Sequence, residues 1–222
     1  MNTERIAFLY LKTGGGHISA ARALQSYIRG RDRSDAETYV FDPIPEDAFL
    51  ANLLLQDGYR FTSHTLRPVW ILLYEISKLE IVGFLWSFFI YFTIRKPLKR
   101  FIRENGIDKL VLLHFLLLRP TAWVLRSLKP KERPKALTVV TDPFTAHPLW
   151  FTRPSLPTVV FSEKLRREAV GKHGFSPSRV KNYSLILKSD FEGKMPPDLI
   201  ERRRQKRNIS RDLRTVLFIG GG

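Results

Sequence analysis

Apolar positions fall into short runs along the chain. Runs at 6–11, 37–41, 109–113, 136–140 and 157–161 are rich in β-branched and aromatic residues, and stretches suited to helices separate most of them. That alternation predicts an α/β layer architecture with a mainly parallel sheet. A helix is expected over 17–29, and another over 162–173, entered through Ser162 with Glu163 in its first turn. Pro196-Pro197 opens a polar stretch, Glu201-Arg202-Arg203-Arg204-Gln205-Lys206-Arg207, that reads as a linker or a solvated helix. The last residues, Thr215-Val216-Leu217-Phe218-Ile219-Gly220-Gly221-Gly222, run from an apolar strand into glycines, the way a nucleotide-binding α/β domain begins. Their alternative is a last strand of the same sheet with a flexible tail. The expected organisation is therefore one domain over 1–195, a basic linker over 196–214 and the first strand and glycine loop of a second domain at 215–222.

One run breaks the rhythm. Residues 81–94 carry no charge, and as a helix they would reach roughly 21 Å, short of the ~30 Å hydrocarbon core of a bilayer. Extending the run backward meets Glu80, Lys78 and Glu75, which are costly at mid-membrane. Shallow insertion fits better than a crossing. Trp70, Tyr74, Trp86 and Tyr91 suit the lipid–water boundary, Phe88 and Phe89 supply apolar bulk, and Arg95, Lys96, Lys99, Arg100 and Arg103 follow at once. Near an anionic leaflet those five cations could contribute on the order of 5 kcal/mol before screening. The competing reading is a buried helix hairpin of the core with the cations as its solvated end.

Charge sharpens this picture. The 222 residues carry 37 basic and 21 acidic side chains, a formal net charge of +16. Residues 1–94 sum to −1, 95–135 to +9, 136–160 to 0 and 161–222 to +8, so the first basic block begins where the apolar run ends. A basic surface attracts polyanions generally, but zinc-finger spacing, RNP-like aromatics and basic heptads are all missing, which disfavours nucleic acid. With no cysteine, disulfides and thiolate metal sites are excluded. The six apolar residues after Met1-Asn2-Thr3-Glu4-Arg5 are too few for a secretory signal, so this domain is expected in the cytoplasm.

Candidate chemistry sits where the predicted strands end. Lys12-Thr13-Gly14-Gly15-Gly16-His17 joins the first strand to the first helix, and glycines there allow a tight turn pressed against a ligand or against neighbouring structure. Backbone N–H groups at such a turn are free for an anion, and an imidazole at a positive helix end has its pKa lowered, ready to accept a proton. After the fourth run come Thr141, Asp142 and His147, with Trp150 and Phe151 beyond. Asp142 can orient or deprotonate a hydroxyl and His147 can hydrogen-bond one; Asp142-Pro143 is also an ordinary turn start, and the aromatics are equally suited to the core. His114 follows the third run in the equivalent place. Open α/β sheets bind ligands at the carboxyl ends of their strands, so these groups are expected on one edge.

At these motifs the sequence resembles the amino-terminal domain of the monogalactosyldiacylglycerol synthase and processive diacylglycerol glucosyltransferase family, and more distantly MurG-type lipid-linked transferases. The matching pieces are Thr13-Gly14-Gly15-Gly16-His17-Ile18-Ser19-Ala20-Ala21, the Gly58-Tyr59 and Tyr74 region, and Val140-Thr141-Asp142-Pro143-Phe144-Thr145-Ala146-His147-Pro148-Leu149-Trp150-Phe151. The chain departs from the pattern at Phe115, where many members carry proline. The resemblance implies a GT-B architecture in which this Rossmann-like domain receives diacylglycerol or a related lipid and a carboxyl-terminal domain binds the nucleotide sugar, expected to be a UDP-sugar. It implies metal-independent inverting hexosyl transfer with no cofactor. His17 then corresponds to the base or acceptor-contacting histidine, with Asp142 also catalytic. His147, Trp150 and His114 take the acceptor side, and Gly14, Gly15 and Gly16 the phosphate region. Trp86, Phe88, Phe89, Tyr91, Arg95, Lys96, Lys99 and Arg100 become a membrane-docking face, peripheral on the cytoplasmic side of the cell membrane. Without a donor half the chain is expected to turn over little; the alternative is a non-catalytic membrane-binding subunit of a split two-chain transferase.

Overall fold

The structure is a computed structural model and describes residues 3–13, 15–30, 36–58, 61–62, 65–186 and 195–210. The expectations for Gly14, Tyr59 and the stretch 215–222 lie outside the described residues. Six parallel strands form one sheet: β1 (Glu4–Leu9), β2 (Ala36–Phe41), β3 (Lys109–Leu112), β4 (Lys135–Val139), β5 (Thr158–Val160) and β6 (Val180–Asn182), in the order β2-β1-β3-β4-β5-β6. This is the expected Rossmann-like layer fold. Each of the five apolar runs supplies a strand, but in all except the 37–41 run the last residues lie past the ladder. Tyr10, Leu11, Leu113 and Val140 are buried where the chain leaves the sheet and dives between layers. The sixth strand carried no apolar signal, because only Val180 of its three residues is buried.

Alternation along the strands divides the core in two. Ala7, Leu9, Leu110 and Leu112 point to one side, and Ile6, Phe8, Val111 and Leu113 to the other. Helix α1 (Gly15–Gly30) covers the second side with Ile18, Ala21, Leu24 and Ile28. The first side is covered by α4 (Glu80–Glu104), α5 (Leu118–Arg126) and α6 (Glu163–His173). Ser162 caps α6 by accepting from the Leu165 N–H at 3.3 Å, and Gly174 ends it in the left-handed conformation at φ +70°. The remaining described helices are α2 (Phe49–Asn52) with a π turn over Leu53–Asp57, α3 (Arg67–Ser77), and α7 (Pro197–Lys206), which buries no residue and is the solvated helix expected there.

Helix α4 corrects the length argument made from residues 81–94. It runs 25 residues, through Pro97 to Glu104, because Gly83, Ser87, Ile90, Ile94, Leu98 and Ile102 recur at helical spacing as one buried stripe. By length and composition it could cross a membrane, but this stripe is built into the domain core. Its other side leaves Ile81, Phe84, Leu85, Phe88 and Phe92 exposed. Trp86, Phe89 and Tyr91, grouped above with Phe88 as one docking set, are partly buried against the core, so the apolar run is packed on one face and exposed on another. Gly83 allows the helix to approach Leu149, whose Cδ2 would lie 2.5 Å from an added Cβ.

Candidate active site

The chain passes from β1 to β2 on one side of the sheet and returns to β3 on the other, which makes the β1/β3 junction a topological switch point where a crevice opens at the carboxyl edge. Thr13 and His17 follow β1, His114 follows β3, and Thr141 and Asp142 follow β4. The structure brings them together. His17 Nδ1 lies 2.9 Å from Thr141 Oγ1, Thr13 Oγ1 lies 2.8 Å from His114 Nε2, and the His17 and His114 rings are 4.4 Å apart. Thr13, His17, His114, Asp142 and His147 share one cavity of about 400 Å³.

The three histidines are not equivalent. His114 is buried, and its Nδ1 accepts the Leu116 N–H at 3.2 Å, so Nε2 carries the proton and donates to Thr13 Oγ1. Burial, with His17 and His147 nearby, holds its pKa well below the ordinary histidine value. His147 repeats the pattern: Nδ1 accepts the Leu149 N–H at 3.2 Å and Nε2 donates to Ser77 Oγ at 3.0 Å, while Ser77 donates to the Tyr74 carbonyl at 2.7 Å. Burial, aided by Lys78, pushes its pKa down to about 4. Both rings thus cap 3-10 turns and spend both nitrogens on the protein. His17 is only half-buried. Burial lowers its pKa, while Asp142 and a backbone hydrogen bond at Leu113 pull the other way, which keeps a neutral ring that can take up a proton.

Trp150 is placed behind the cavity rather than in it, being 1% exposed. Its Nε1 donates to Asp142 Oδ2 at 2.6 Å, fixing the carboxylate and leaving Oδ1 without a hydrogen-bond partner among the described residues. Phe115, the departure from the family pattern, stacks between His114 at 4.6 Å and His147 at 4.7 Å. Tyr74 meets the far side of His147 edge-on, and Trp70 stacks on Tyr74. A row of rings therefore runs from His17 to α3. The sequence signalled neither Ser77 as the His147 partner nor Thr13 as the His114 partner, since both contacts join segments far apart in the chain.

One wall of the cavity is polar and the other is not. Leu54, Leu55, Trp70, Leu73, Ile76, Val82 and Trp86 line it from the π turn, α3 and α4. These elements, with α2 and the α3–α4 connection, expose Phe49, Leu50, Leu53, Ile71, Leu72, Leu79 and Ile81 to solvent, a concentration of surface apolar groups. Further along α4, Lys96, Lys99, Arg100 and Arg103 line a shallow hollow, and the Arg95 guanidinium lies 4.8 Å over the Phe92 ring. Gly15 and Gly16 begin α1 with nothing within 4 Å of where a Cβ would stand, so these two glycines open onto space rather than onto packed structure. Among the described residues no group of three or more His, Asp or Glu side chains converges as metal ligands.

Comparison with known proteins follows the same line. The family model for monogalactosyldiacylglycerol (MGDG) synthase matches residues 17–185, about three quarters of the chain. Monogalactosyldiacylglycerol synthase, chloroplastic, of Spinacia oleracea is 26% identical over 220 residues, covering 99% of this chain and 41% of the relative. A probable monogalactosyldiacylglycerol synthase 2, chloroplastic, of Oryza sativa subsp. indica is 26% identical over 222 residues, covering 99% and 46%. The chain thus spans less than half the length of these relatives. The crystal structure of a glycosyltransferase from Rickettsia africae ESF-5 shares the fold with a TM-score of 0.54 at 10% identity, covering 96% of this chain and 52% of that one.

Proposed function

Since the chain belongs to the monogalactosyldiacylglycerol synthase family, we propose that its carboxyl-edge cavity is the acceptor half of a glycosyltransferase site acting on diacylglycerol or a related lipid. The observation that carries this reading is the cavity's two-sided wall: His17, Asp142 and Thr13 on one side, Trp70, Leu73, Ile76, Val82 and Trp86 on the other. A lipid alcohol needs such a wall, with the hydroxyl among the polar groups and the hydrocarbon against the apolar ones.

In the proposed reaction His17 takes the hydroxyl proton as the alcohol oxygen attacks the anomeric carbon of a nucleotide sugar and the nucleotide diphosphate leaves. The base needs one ring nitrogen unprotonated towards the cavity. That is met in the neutral ring, which donates one N–H to the Leu113 carbonyl and keeps its other nitrogen unprotonated, with Thr141 Oγ1 at 2.9 Å from Nδ1. The Asp142 carboxylate, held by Trp150, stabilises the imidazolium that forms. Thr13 receives the His114 proton at its oxygen, so its own hydroxyl proton is free to donate to the acceptor. The opening at Gly15 and Gly16 faces the diphosphate of a UDP-sugar donor, which a second half binds, in the same polypeptide or as a separate subunit. The exposed face of α2–α4 and the cations after Arg95 dock peripherally on an anionic membrane, at its cytoplasmic face.

The test is transfer of labelled sugar from UDP-sugar to diacylglycerol in anionic vesicles, with this chain joined to the donor domain of a relative. His17→Ala should lower the rate about a hundredfold or more. An unchanged rate would remove the base assignment, and no transfer with any UDP-hexose would remove the reading as a whole.

A further inference from the structure

A second hollow, about 290 Å³, adjoins the polar cavity and is lined by Leu54, Val82, Leu85, Trp86 and Phe89. Three of these, Leu54, Val82 and Trp86, are walls of both spaces, so the two adjoin across a shared apolar rim. The contrast between them is chemical. The first space holds three histidines and a carboxylate; the second offers no ionisable side chain, and it lies along the uncharged half of α4, before Arg95. Its outer wall, Leu85, is 59% exposed although nothing polar in the hollow rewards contact with water.

Size decides what such an annex is for. At about 400 Å³ the polar cavity lies near the bottom of the roughly 300–1,000 Å³ range of small-molecule sites. It holds a glycerol head and the first carbons of its chains, and cannot enclose two long acyl chains. Hydrocarbon leaving the cavity has to cross either water or an apolar surface, and each methylene left in water forgoes the gain of burial. This hollow is an apolar surface that adjoins the cavity.

We propose that the hollow between the π turn and α4 is a hydrocarbon-chain subsite. One acyl chain of the lipid whose hydroxyl lies at His17 passes Val82 and Trp86 and runs on beside Leu85 and Phe89, while the other stays among the exposed side chains of α3. The inference rests on reading the cavity as a lipid-acceptor site. It adds that the site holds one chain beyond the glycerol and follows it past the catalytic groups.

Photolabelling tests it without requiring turnover. Diacylglycerols with a diazirine either beside the glycerol or at mid-chain are mixed with the 222-residue chain in phosphatidylcholine–phosphatidylglycerol vesicles and irradiated. The head-proximal probe should label the α3 wall and Phe115, and the mid-chain probe should label Leu54, Val82, Leu85 and Phe89. Leu85→Trp, at an exposed position that tolerates bulk, should raise the dioleoylglycerol concentration that half-displaces the probe by roughly tenfold. Dihexanoylglycerol, with chains short enough to end inside the cavity, should displace it as before. Mid-chain label confined to Ile71, Leu72 and Phe88, or an equal effect of Leu85→Trp on both lipids, overturns the subsite while leaving the acceptor reading intact. Absence of head-proximal label at the cavity overturns both.

Discussion

The two ends of the sheet each carry a cavity, and the larger is the less suited to chemistry. At the amino ends of the strands a hollow of about 820 Å³ is lined by Glu4, Arg103, Asp108, Lys109, Glu132 and Lys135 among others. Its carboxylates are all engaged. Lys109 pairs with Glu4, the Arg103 guanidinium reaches Glu132 at 3.0 Å, and Asp108 accepts the Arg5 N–H at 2.8 Å. At the carboxyl ends the cavity is half the size, but burial lowers the pKa of its three histidines. His17 keeps an uncharged ring and Asp142 a carboxylate oxygen with no partner among the described residues. Paired surface charges neutralise each other and contribute little, whereas a desolvated neutral base beside a fixed carboxylate retains reactivity for a substrate. A cavity's volume says less about function than what its walls leave unsatisfied.

The sharpest way to break this comparison is to remove one group at each end. In the assembled transferase His17→Ala should cost about a hundredfold or more in rate, and Lys131→Ala at the amino-end hollow less than twofold, read as kcat on diacylglycerol vesicles. Comparable losses would mean that the difference between the two edges has no catalytic meaning. The pH profile refines the assignment. The rate should fall on the acid side as His17 becomes protonated, and Asp142→Asn should move that limb to lower pH, because the carboxylate raises the His17 pKa. A limb that stays put would detach Asp142 from His17.

The second effect in size belongs to His147. Its pKa lies near 4 in the fold and near 6.5 when unfolded, so between those values the unfolded chain binds the extra proton and stability falls as pH drops. The loss can reach a few kcal/mol by pH 4 and should flatten below it. Urea midpoints measured from pH 7 to pH 4 should show this slope, and His147→Gln should remove part of it, with His114 supplying another part. A slope unchanged by the substitution would mean that the ring is not the buried neutral link between Ser77 and Leu149 described above.

How much of this was legible from residues alone follows the range of the contacts. Five strands, α1 and the cap at Ser162 were readable, because strand runs and helix caps are local patterns. The convergence of His17, His114, Thr141 and Asp142 was readable from topology, since all follow strand ends on one edge. The division of labour among the histidines was not. Whether a ring is free or spent depends on Thr13, Ser77 and Thr141, partners 70 to 124 residues away in sequence. Trp150 misled for a related reason. An aromatic beyond a strand end suits a ligand wall or the core equally, and only its 2.6 Å bond to Asp142 shows it to be a buried support. The 81–94 run was read as one surface because composition carries no phase, and the stripe from Gly83 to Ile102 becomes visible only when buried positions are counted along α4.

That stripe gives a smaller effect on the same side of the comparison. Gly83→Ala places a methyl 2.5 Å from Leu149 Cδ2, and Leu149 sits two residues from His147 in the turn that His147 caps. The leucine side chain can turn, but it is buried, so overpacking of about 1–2 kcal/mol is expected as a lowered urea midpoint with the slope of the transition unchanged. A midpoint at or above that of the parent would show that α4 does not press on the turn.

The smallest effect is expected at the opposite end, and its smallness is what gives it value. Glu132 sits on an exposed turn where Arg103 donates to it and holds its carboxyl below the usual value. Water competes for both partners, and ordering two long side chains offsets most of the attraction, so Glu132→Gln should leave the urea midpoint unresolved from the parent at neutral pH. Raising the salt concentration should shift both proteins alike and open no difference between them. A clear loss of stability would show that the amino-end charges hold the sheet together as the buried histidine cluster does at the other end. The contrast between paired, solvated charge and buried, poised charge would then have to be abandoned as the way to tell which edge of this domain acts.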